Sequence, residues 1–556
     1  MHHDVQKIKA AFSEAPISPP SNGEELNLMV TPKPHSRASS YATQIVDLAS
    51  DFSLFHTSDG EAYATLPIGN HRETWRLASM VIRQELTRRF YSRDKNIPGR
   101  QATQDALEVL SAQAQFEGPE EAIHLRVAEK DGALYIDLAN PAWEVVRVTS
   151  EGWDIVSDFP VLFRRSKGML ALPHPTRGKT LQALRQFINV RKDEDFLLLL
   201  SWLVGALNPF GPYPILVIHG GQGSGKSTAV EMLKALVDPN ISPLRSNPSE
   251  LRDLMISARN SWTLAFDNLS HLPPWLSDGF CRLSTGGGLA TRQLYADDEE
   301  ILFQAKRPIL MNGIEELATR ADLLDRAILL YLPDIPAKQR RPEKELWANF
   351  DEAKPTFLGA MFTALSMALR EQAHVSLKEL PRMADFALWI TAAAPALDST
   401  PQTFLDAYER NRLEANQLTL VASPIPGVLE KLLEPLGHWE GTATELLNAM
   451  SNFADDALRR LDDWPKSPQG LSNALRRLEP NLRQEGMVIT FKHGTQRVIT
   501  LENRCKRVSE ASLASFDPPE TGTQPLPPDD NDAPDAKIPV YSSGLGLPAP
   551  IKEVDI

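Results

Sequence analysis

The spacing of hydrophobic positions changes several times along the chain, and these changes divide it into regions. Residues 74–91 (TWRLASMVIRQELTRRFY) and 104–116 repeat apolar residues every three or four positions, which predicts two helices. Two hairpins follow: HLRVAEKDGALYIDL turns about Lys130-Asp131-Gly132, and VVRVTSEGWDIV about Glu151-Gly152. Residues 196–207 are almost continuously apolar and predict a buried helix leading into the next domain. PILVIHG is a short apolar run of the kind that forms a parallel strand covered on both faces. Helical spacing returns over 346–418, in ADFALWITAAAPAL and FLDAYERNR. Residues 419–505 predict helix, helix and then a two-strand ribbon, GMVITFKHGTQRVITL. Residues 1–40 and 506–556 have no hydrophobic period and are expected to be disordered.

A chain of 556 residues accommodates roughly three or four domains. Its 42% hydrophobic residues and ten tryptophans are enough for buried cores. No apolar run approaches the roughly eighteen residues of a membrane span. The start, MHHDVQKIKAAF, lacks the apolar core of a secretory signal, so a soluble cytoplasmic protein is expected. The two cysteines, Cys281 and Cys505, exclude a disulfide framework and a cysteine-based zinc ribbon. The net charge of −14 argues against nucleic acid until it is divided by region. Residues 466–507 hold nine Lys/Arg against three Asp/Glu, and residues 508–556 hold two against nine. A basic module followed by an acidic tail is the more informative description.

The clearest chemistry follows the PILVIHG run. Gly220, Gly221, Gln222, Gly223, Ser224, Gly225, Lys226 and Ser227 spell G-x-x-x-x-G-K-S, and Thr228 continues into an amphipathic helix. Glycines let backbone N–H groups turn around an anion at a helix N-terminus. Lys226 is expected to reach the β and γ phosphates of ATP, and Ser227 to offer its hydroxyl to Mg2+. Asp267, at the end of the apolar run in SWTLAFDNLS, is the second expected metal ligand. Asn268 follows it, and an amide cannot accept the proton of an attacking water. Asp297, Asp298 or a group from a neighbouring subunit would have to do so. RPILMNGI ends near Asn312, a candidate γ-phosphate sensor because an amide both donates and accepts. DLLDRAILLYLP holds Arg326, read either as an arginine finger or as a surface arginine paired with Asp322 or Asp325; Arg320 is a second candidate.

The stretch FCRLSTGGGLATRQLYADDEEILFQAKRPILMNGIEELATRADLLDRAILLYLP resembles the core of superfamily-3 helicases, most closely the phage and poxvirus-type primase-helicase ATPases. Gly286-Gly287-Gly288 with Arg292-Gln293-Leu294-Tyr295 matches the family's middle segment, Asn312 its motif C and Arg326 its arginine finger. More loosely, residues 45–500 resemble ATP-binding proteins of actinobacterial and phage-associated mobile elements. The resemblance implies a hexamer with DNA in its channel, touched by Arg292 and assisted by Lys306 or Arg307. No primase half is evident, so a separate primase partner is a possibility.

In WPKSPQGLSNALRRLEPNLRQEGMVITFKHGTQRVITL, Leu471, Leu475, Leu478 and Leu482 form one apolar stripe, with Asn473, Arg476, Arg477 and Arg483 mostly off it. Pro480 is expected to end or kink this helix before Asn481. Lys492 and Arg497 flank a ribbon turn at His493-Gly494-Thr495. The expected fold is therefore α/β: a mixed α/β N-terminal domain (41–205), an AAA+-like P-loop NTPase core (206–345), a helical segment (346–418) and a winged-helix domain (419–505). The expected function is an ATP-hydrolysing, helicase-like DNA motor of phage or mobile-element replication, with DNA contacts at Arg292, Arg476, Arg477, Lys492 and Arg497. A nucleotide-dependent switch or defence ATPase with little unwinding is the alternative. A small-molecule P-loop kinase leaves the Asn312 and Arg326 motifs unexplained. The arginines of the first helix, Arg83, Arg88 and Arg89, could face DNA or a neighbour.

Overall fold

The computed structural model describes residues 40–503 except 179, 270, 271, 293–299, 314–320, 436, 462 and 494–496. Gln293, Leu294, Tyr295, Asp297, Asp298, Arg320, Gly494, Thr495, Cys505 and both terminal segments lie outside the described residues.

The described chain opens with α1 (Tyr41–Asp47) and an antiparallel meander, β1 (Ser53–His56), β2 (Ala62–Ile68) and β3 (His71–Arg76). Helices α2 (Met80–Asp94) and α3 (Arg100–Phe116) close over it around Ile45, Leu66, Leu86, Phe90 and Leu110. The helix expected from residue 74 begins only at Met80. Thr74, Trp75 and Arg76 belong to β3, where the Thr74 hydroxyl meets that of Thr65 at 2.9 Å. Ser79 caps the helix by accepting the Ile82 N–H, which fixes the later start. The helix's arginines are largely engaged within the chain. Arg88 and Arg89 both bind Glu85, Arg89 also binds Asp51 and lies over Phe52, and Arg83 donates to Gln104.

Short β4 (Ile123–His124) and β9 (Leu162–Phe163) pair in parallel and flank a second antiparallel meander. This comprises β5 (Val127–Lys130), β6 (Ala133–Asp137), β7 (Val145–Thr149) and β8 (Gly152–Val156). Asp131 and Gly132 both take positive φ (55° and 76°), the backbone that a tight two-residue hairpin requires. Helix α4 (Asp193–Gly205) is buried from Asp195 onward, as its unbroken apolar run implied. The Trp202 indole donates to Pro214 O and the Trp262 indole to Ala206 O, each at 2.8 Å, fastening α4 to the next unit.

That unit is built on β10 (Ile215–His219), α5 (Lys226–Val237), α6 (Leu251–Asn260), β11 (Leu264–Leu269), α7 (Pro274–Thr285), the β12–β13 hairpin (Leu289–Arg292, Glu300–Phe303), β14 (Ile309–Gly313), α8 (Ala321–Leu324) and β15 (Ala327–Tyr331). Four strands form a parallel sheet in the order β11-β14-β10-β15. Their apolar residues are buried on both faces, which explains continuous rather than alternating hydrophobicity. A buried charge cluster ties the sheet to the preceding meander. Asp238 accepts from Lys234 (3.1 Å), Arg126 (3.2 Å) and the N–H groups of Trp262 and Thr263. Burial alone would raise the Asp238 carboxyl, but Lys234 and Arg126 outweigh it and hold it below the usual range.

Helices α9 (Glu343–Glu371), α10 (Ala384–Ala393) and α11 (Pro401–Ala422) come next. From α11, the Asn411 amide grips β15: it donates to Leu329 O (2.6 Å) and accepts from Leu329 N (3.0 Å), replacing a strand partner. The C-terminal unit runs α12 (Pro424–Leu433), β16 (His438–Thr442), α13 (Ala443–Phe453), α14 (Asp456–Arg460), α15 (Pro468–Gln484), β17 (Met487–His493) and β18 (Arg497–Asn503). Two expectations are corrected here. The ribbon is a three-stranded sheet, β16-β18-β17, because the polar HWEGT stretch adds an edge strand without any apolar alternation. Helix α15 does not end at Pro480, one of the two outcomes expected there, but runs on to Gln484; Leu478 and Leu482, buried on either side, hold it together where proline removes one hydrogen bond. Among the described residues, no helix is long and apolar enough to cross a membrane.

Candidate functional site

The middle strand β10 delivers the chain into the glycine loop. A Cβ at Gly220 would sit 2.1 Å from the Leu332 carbonyl oxygen, so only glycine fits there. Gly223 and Gly225 hold φ of 82° and 83°, turning the loop into α5. Gly225 is the N-cap and brings no side-chain cap, which leaves the first-turn N–H groups facing the loop. The Ser224 hydroxyl donates to Gly221 O at 2.9 Å and braces the turn. Lys226 Nζ donates to Gly220 O (2.8 Å) and Gly221 O (2.6 Å), so its ammonium lies inside the loop's curve against neutral partners. Gln222 is exposed at the loop's tip, and Thr228 lies in the first turn of α5.

Ser227 and Asp267 come together across 40 residues of sequence: the hydroxyl donates to Oδ1 at 2.8 Å. Asp267 lies where β11 leaves register with β14, between Phe266 and Leu269. The kink is made by Asn268, at φ 52°, whose own side chain is exposed. Asn312, from neighbouring β14, accepts the Asn268 N–H through Oδ1 at 2.7 Å. Asn312 is buried, and its Nδ2 has no hydrogen-bond partner. A buried donor without a partner is costly, and it sits on the residue expected to sense a phosphate or water. One turn along α5 from Ser227, Glu231 has its pKa raised by burial and by the negative charges of Glu343 and Asp267. Ser227 and Asp267 are hard oxygen donors suited to Mg2+, and this local excess of negative charge fits a divalent cation. Among the described residues no group of three or more His, Cys, Asp or Glu could hold a metal alone. Magnesium here would depend on phosphate and water for its remaining ligands.

Arg326 is elsewhere. Its carbonyl accepts the Ile215 N–H at 2.9 Å, so it stands at the start of β10, whereas the loop leaves that strand's far end. At about 3.3 Å per residue the two are separated by roughly 16 Å. Arg326 is half-buried: one terminal nitrogen donates to Asp322 O (2.6 Å), and Nε is buried without a partner. Asp325 does not serve it, being bound by Arg382 and Arg412. Cys281 lies beside Arg326, its Sγ 3.9 Å from the guanidinium, and burial pushes its thiol up to about 11.

The expected DNA contacts fall in two places. Arg292 ends β12, opposite Glu300, at the tip of the described hairpin between β11 and β14. Arg476 and Arg477 are exposed on α15, the former over the Phe491 ring at 4.5 Å. Lys492, 3.5 Å from Glu440, and exposed Arg497 border the turn between β17 and β18. Lys306 is exposed and donates to Phe210 O. Arg307, the other residue expected to assist Arg292, is half-buried and bonded within the chain. Its guanidinium donates to Ala258 O and Lys306 O and lies against Trp262, and burial pulls its pKa down to about 10. Asn189 is a site residue with no signal in the sequence: its amide donates to Ser224 O and Pro333 O, joining the glycine loop to the segment after β15.

Residues 181–415 match the family model described as the actinomycete integrative conjugative element replication protein. Residues 427–515 match that of the AICE RepA C-terminal domain. Together the two regions span more than half of the chain. No curated protein matches it. Among solved structures, one described as "SCCmec type IV Cch - active helicase" is 14% identical, with 84% of this chain and 94% of that one covered at a TM-score of 0.42. Another, the A form apo structure of the NrS-1 C-terminal region, is 11% identical, with 82% and 97% covered at a TM-score of 0.34.

Proposed function

We propose that this chain, which carries both regions of the actinomycete integrative conjugative element replication protein, is an ATP-hydrolysing DNA motor that works as a ring. Its core is read as an AAA+-like P-loop ATPase and its C-terminal unit as a winged helix. The observation that carries the reading is the 2.8 Å contact between Ser227 and Asp267 beside a glycine loop that opens a helix. ATP phosphates would lie on the loop N–H groups and draw Lys226 off the carbonyls it now binds. Magnesium, held by Ser227 and Asp267, would neutralise phosphate charge. The unpartnered Asn312 Nδ2 would donate to the γ-phosphate or the attacking water. Arg326, roughly 16 Å from its own loop, would serve the loop of the next subunit, where a guanidinium stabilises charge on the transferring phosphoryl group.

The order α12-β16-α13-α14-α15-β17-β18 supports the winged-helix reading, with α15 as the recognition helix and the β17–β18 turn as the wing. Arg476 and Arg477 would meet the groove or its phosphates, Lys492 and Arg497 the backbone, and Arg292 single-stranded DNA in the channel. Steady-state phosphate release tests the reading. It should require Lys226, vanish in Lys226→Ala and rise when single-stranded DNA is added. A second reading, an assembly switch with slow turnover, is favoured by Asn268, which puts an amide where a proton acceptor would stand. It predicts nucleotide-dependent assembly with no stimulation by DNA.

A further inference from the structure

The segment after β15 crosses the outside of the glycine loop. Leu332 N donates to His219 O at 2.8 Å, and the Leu332 carbonyl abuts Gly220. The Asp334 carboxylate lies against Gly221, and the Ile335 side chain against Gly225. Asn189 fixes the segment by bonding both Pro333 O and Ser224 O. A single 3-10 turn, Ala337–Gln339, then places Arg340 over the loop, with a terminal guanidinium nitrogen 3.6 Å from where a Cβ on Gly223 would be. The Arg340 side chain is exposed, and its hydrogen bond among the described residues runs from Nε to Ile335 O at 3.3 Å. The rest of the guanidinium is left as a charged fork beside the phosphate loop.

We propose that Arg340 is a second phosphate-binding cation, supplied by the same chain as the glycine loop and contacting the nucleotide's phosphate tail. The proposal rests on the nucleotide reading above. A triphosphate carries more charge than Lys226 and one Mg2+ neutralise, and a planar fork gripping two phosphate oxygens suits the remainder. Its tether explains the arrangement. Any movement of the phosphate loop reaches Asn189 and the 332–340 segment directly, so the arginine travels with the loop it serves. Arg326 and Arg340 thereby divide the work, the former reaching a neighbour's nucleotide and the latter its own.

The test is equilibrium binding of Mg-ATP, Mg-ADP and AMP to the full chain, for wild type, Arg340→Ala, Arg340→Lys and Lys226→Ala. Arg340→Ala should bind Mg-ATP about tenfold more weakly, with an unchanged melting temperature and a smaller loss for AMP. Arg340→Lys should recover part of the loss. Mixing Arg340→Ala with Lys226→Ala chains should not restore tight binding, because each nucleotide would still lack one cation. Wild type binding Mg-ATP while Arg340→Ala binds it within twofold would overturn the proposal and leave the nucleotide reading intact. So would restoration by mixing, which would place the arginine on a neighbour's nucleotide. An equal loss in the alanine and lysine variants with a lowered melting temperature would show a structural role and overturn it too. Failure of folded wild type to bind Mg-ATP would instead remove the nucleotide reading itself.

Discussion

The Asn312 carboxamide oxygen accepts the backbone N–H of Asn268 at 2.7 Å, so the residue at the tip of one strand holds the kink in the next. Asn268 sits at φ 52°, where asparagine and glycine are tolerated and branched residues are strained. Holding that kink places Asp267 against Ser227 and leaves Asn312 Nδ2 as a donor. Asn312→Asp keeps the acceptor and loses the donor. It should melt below wild type, because the new carboxylate is buried close to Asp267, and the folded protein should hydrolyse Mg-ATP at least about tenfold more slowly. Near-normal turnover in this variant would remove Asn312 from the chemistry.

Asn268 acts through its backbone, since its side chain is exposed. Asn268→Gly should therefore keep both melting temperature and turnover close to wild type. Asn268→Val should lose about 1–2 kcal/mol of stability, because a β-branched side chain is strained at positive φ. Urea titration with an activity assay on the same samples separates the two effects.

Burial raises the Asp195 carboxyl to about 6, against 3.8 for the ordinary side chain. Between those values the folded chain binds more protons than the unfolded one, so this group's contribution to stability falls as pH rises through about 4 to 6. The Lys192 charge offsets part of the burial penalty. Asp195→Asn should melt higher than wild type at pH 7.5, and the difference should close below about pH 4. An unchanged gap across that range would contradict the assignment.

The glycine loop, Asp267 and Asn312 were legible because each lies at the end of a short apolar run, a pattern that local spacing reveals. Asn189 was not, since its partners lie 35 and 144 positions away. Asn411, which seals the edge of β15 from 82 positions away, was equally hidden. β16 escaped because HWEGT is polar and half-exposed, its strand character coming only from pairing with β18. The fate of Arg307 and of Arg89 depended on burial and partners that a charge count cannot reveal. Arg326 could be found in the sequence, but its distance from its own loop became apparent only once the strand register was known.

The basic face of the C-terminal unit should follow phosphate electrostatics. Arg477→Glu, and Arg497→Glu separately, should weaken DNA binding across sequences and flatten its dependence on salt. Arg307→Ala, by contrast, should lower the melting temperature, since it removes a half-buried guanidinium bound to Ala258 O and packed against Trp262. Fluorescence anisotropy at several salt concentrations, paired with thermal melts, distinguishes a lost contact from a damaged fold.

Mixing chains that carry Lys226→Ala with chains that carry Arg326→Ala tests the shared site most directly. Each variant alone should be inactive, the first unable to hold ATP phosphates and the second unable to complete a neighbour's site. In a random mixture about a quarter of the interfaces pair an intact loop with an intact arginine, so a corresponding fraction of wild-type ATPase activity should return. Activity that stays at the level of the separate variants, in a mixture shown to co-assemble, would contradict a site built from two copies of the chain.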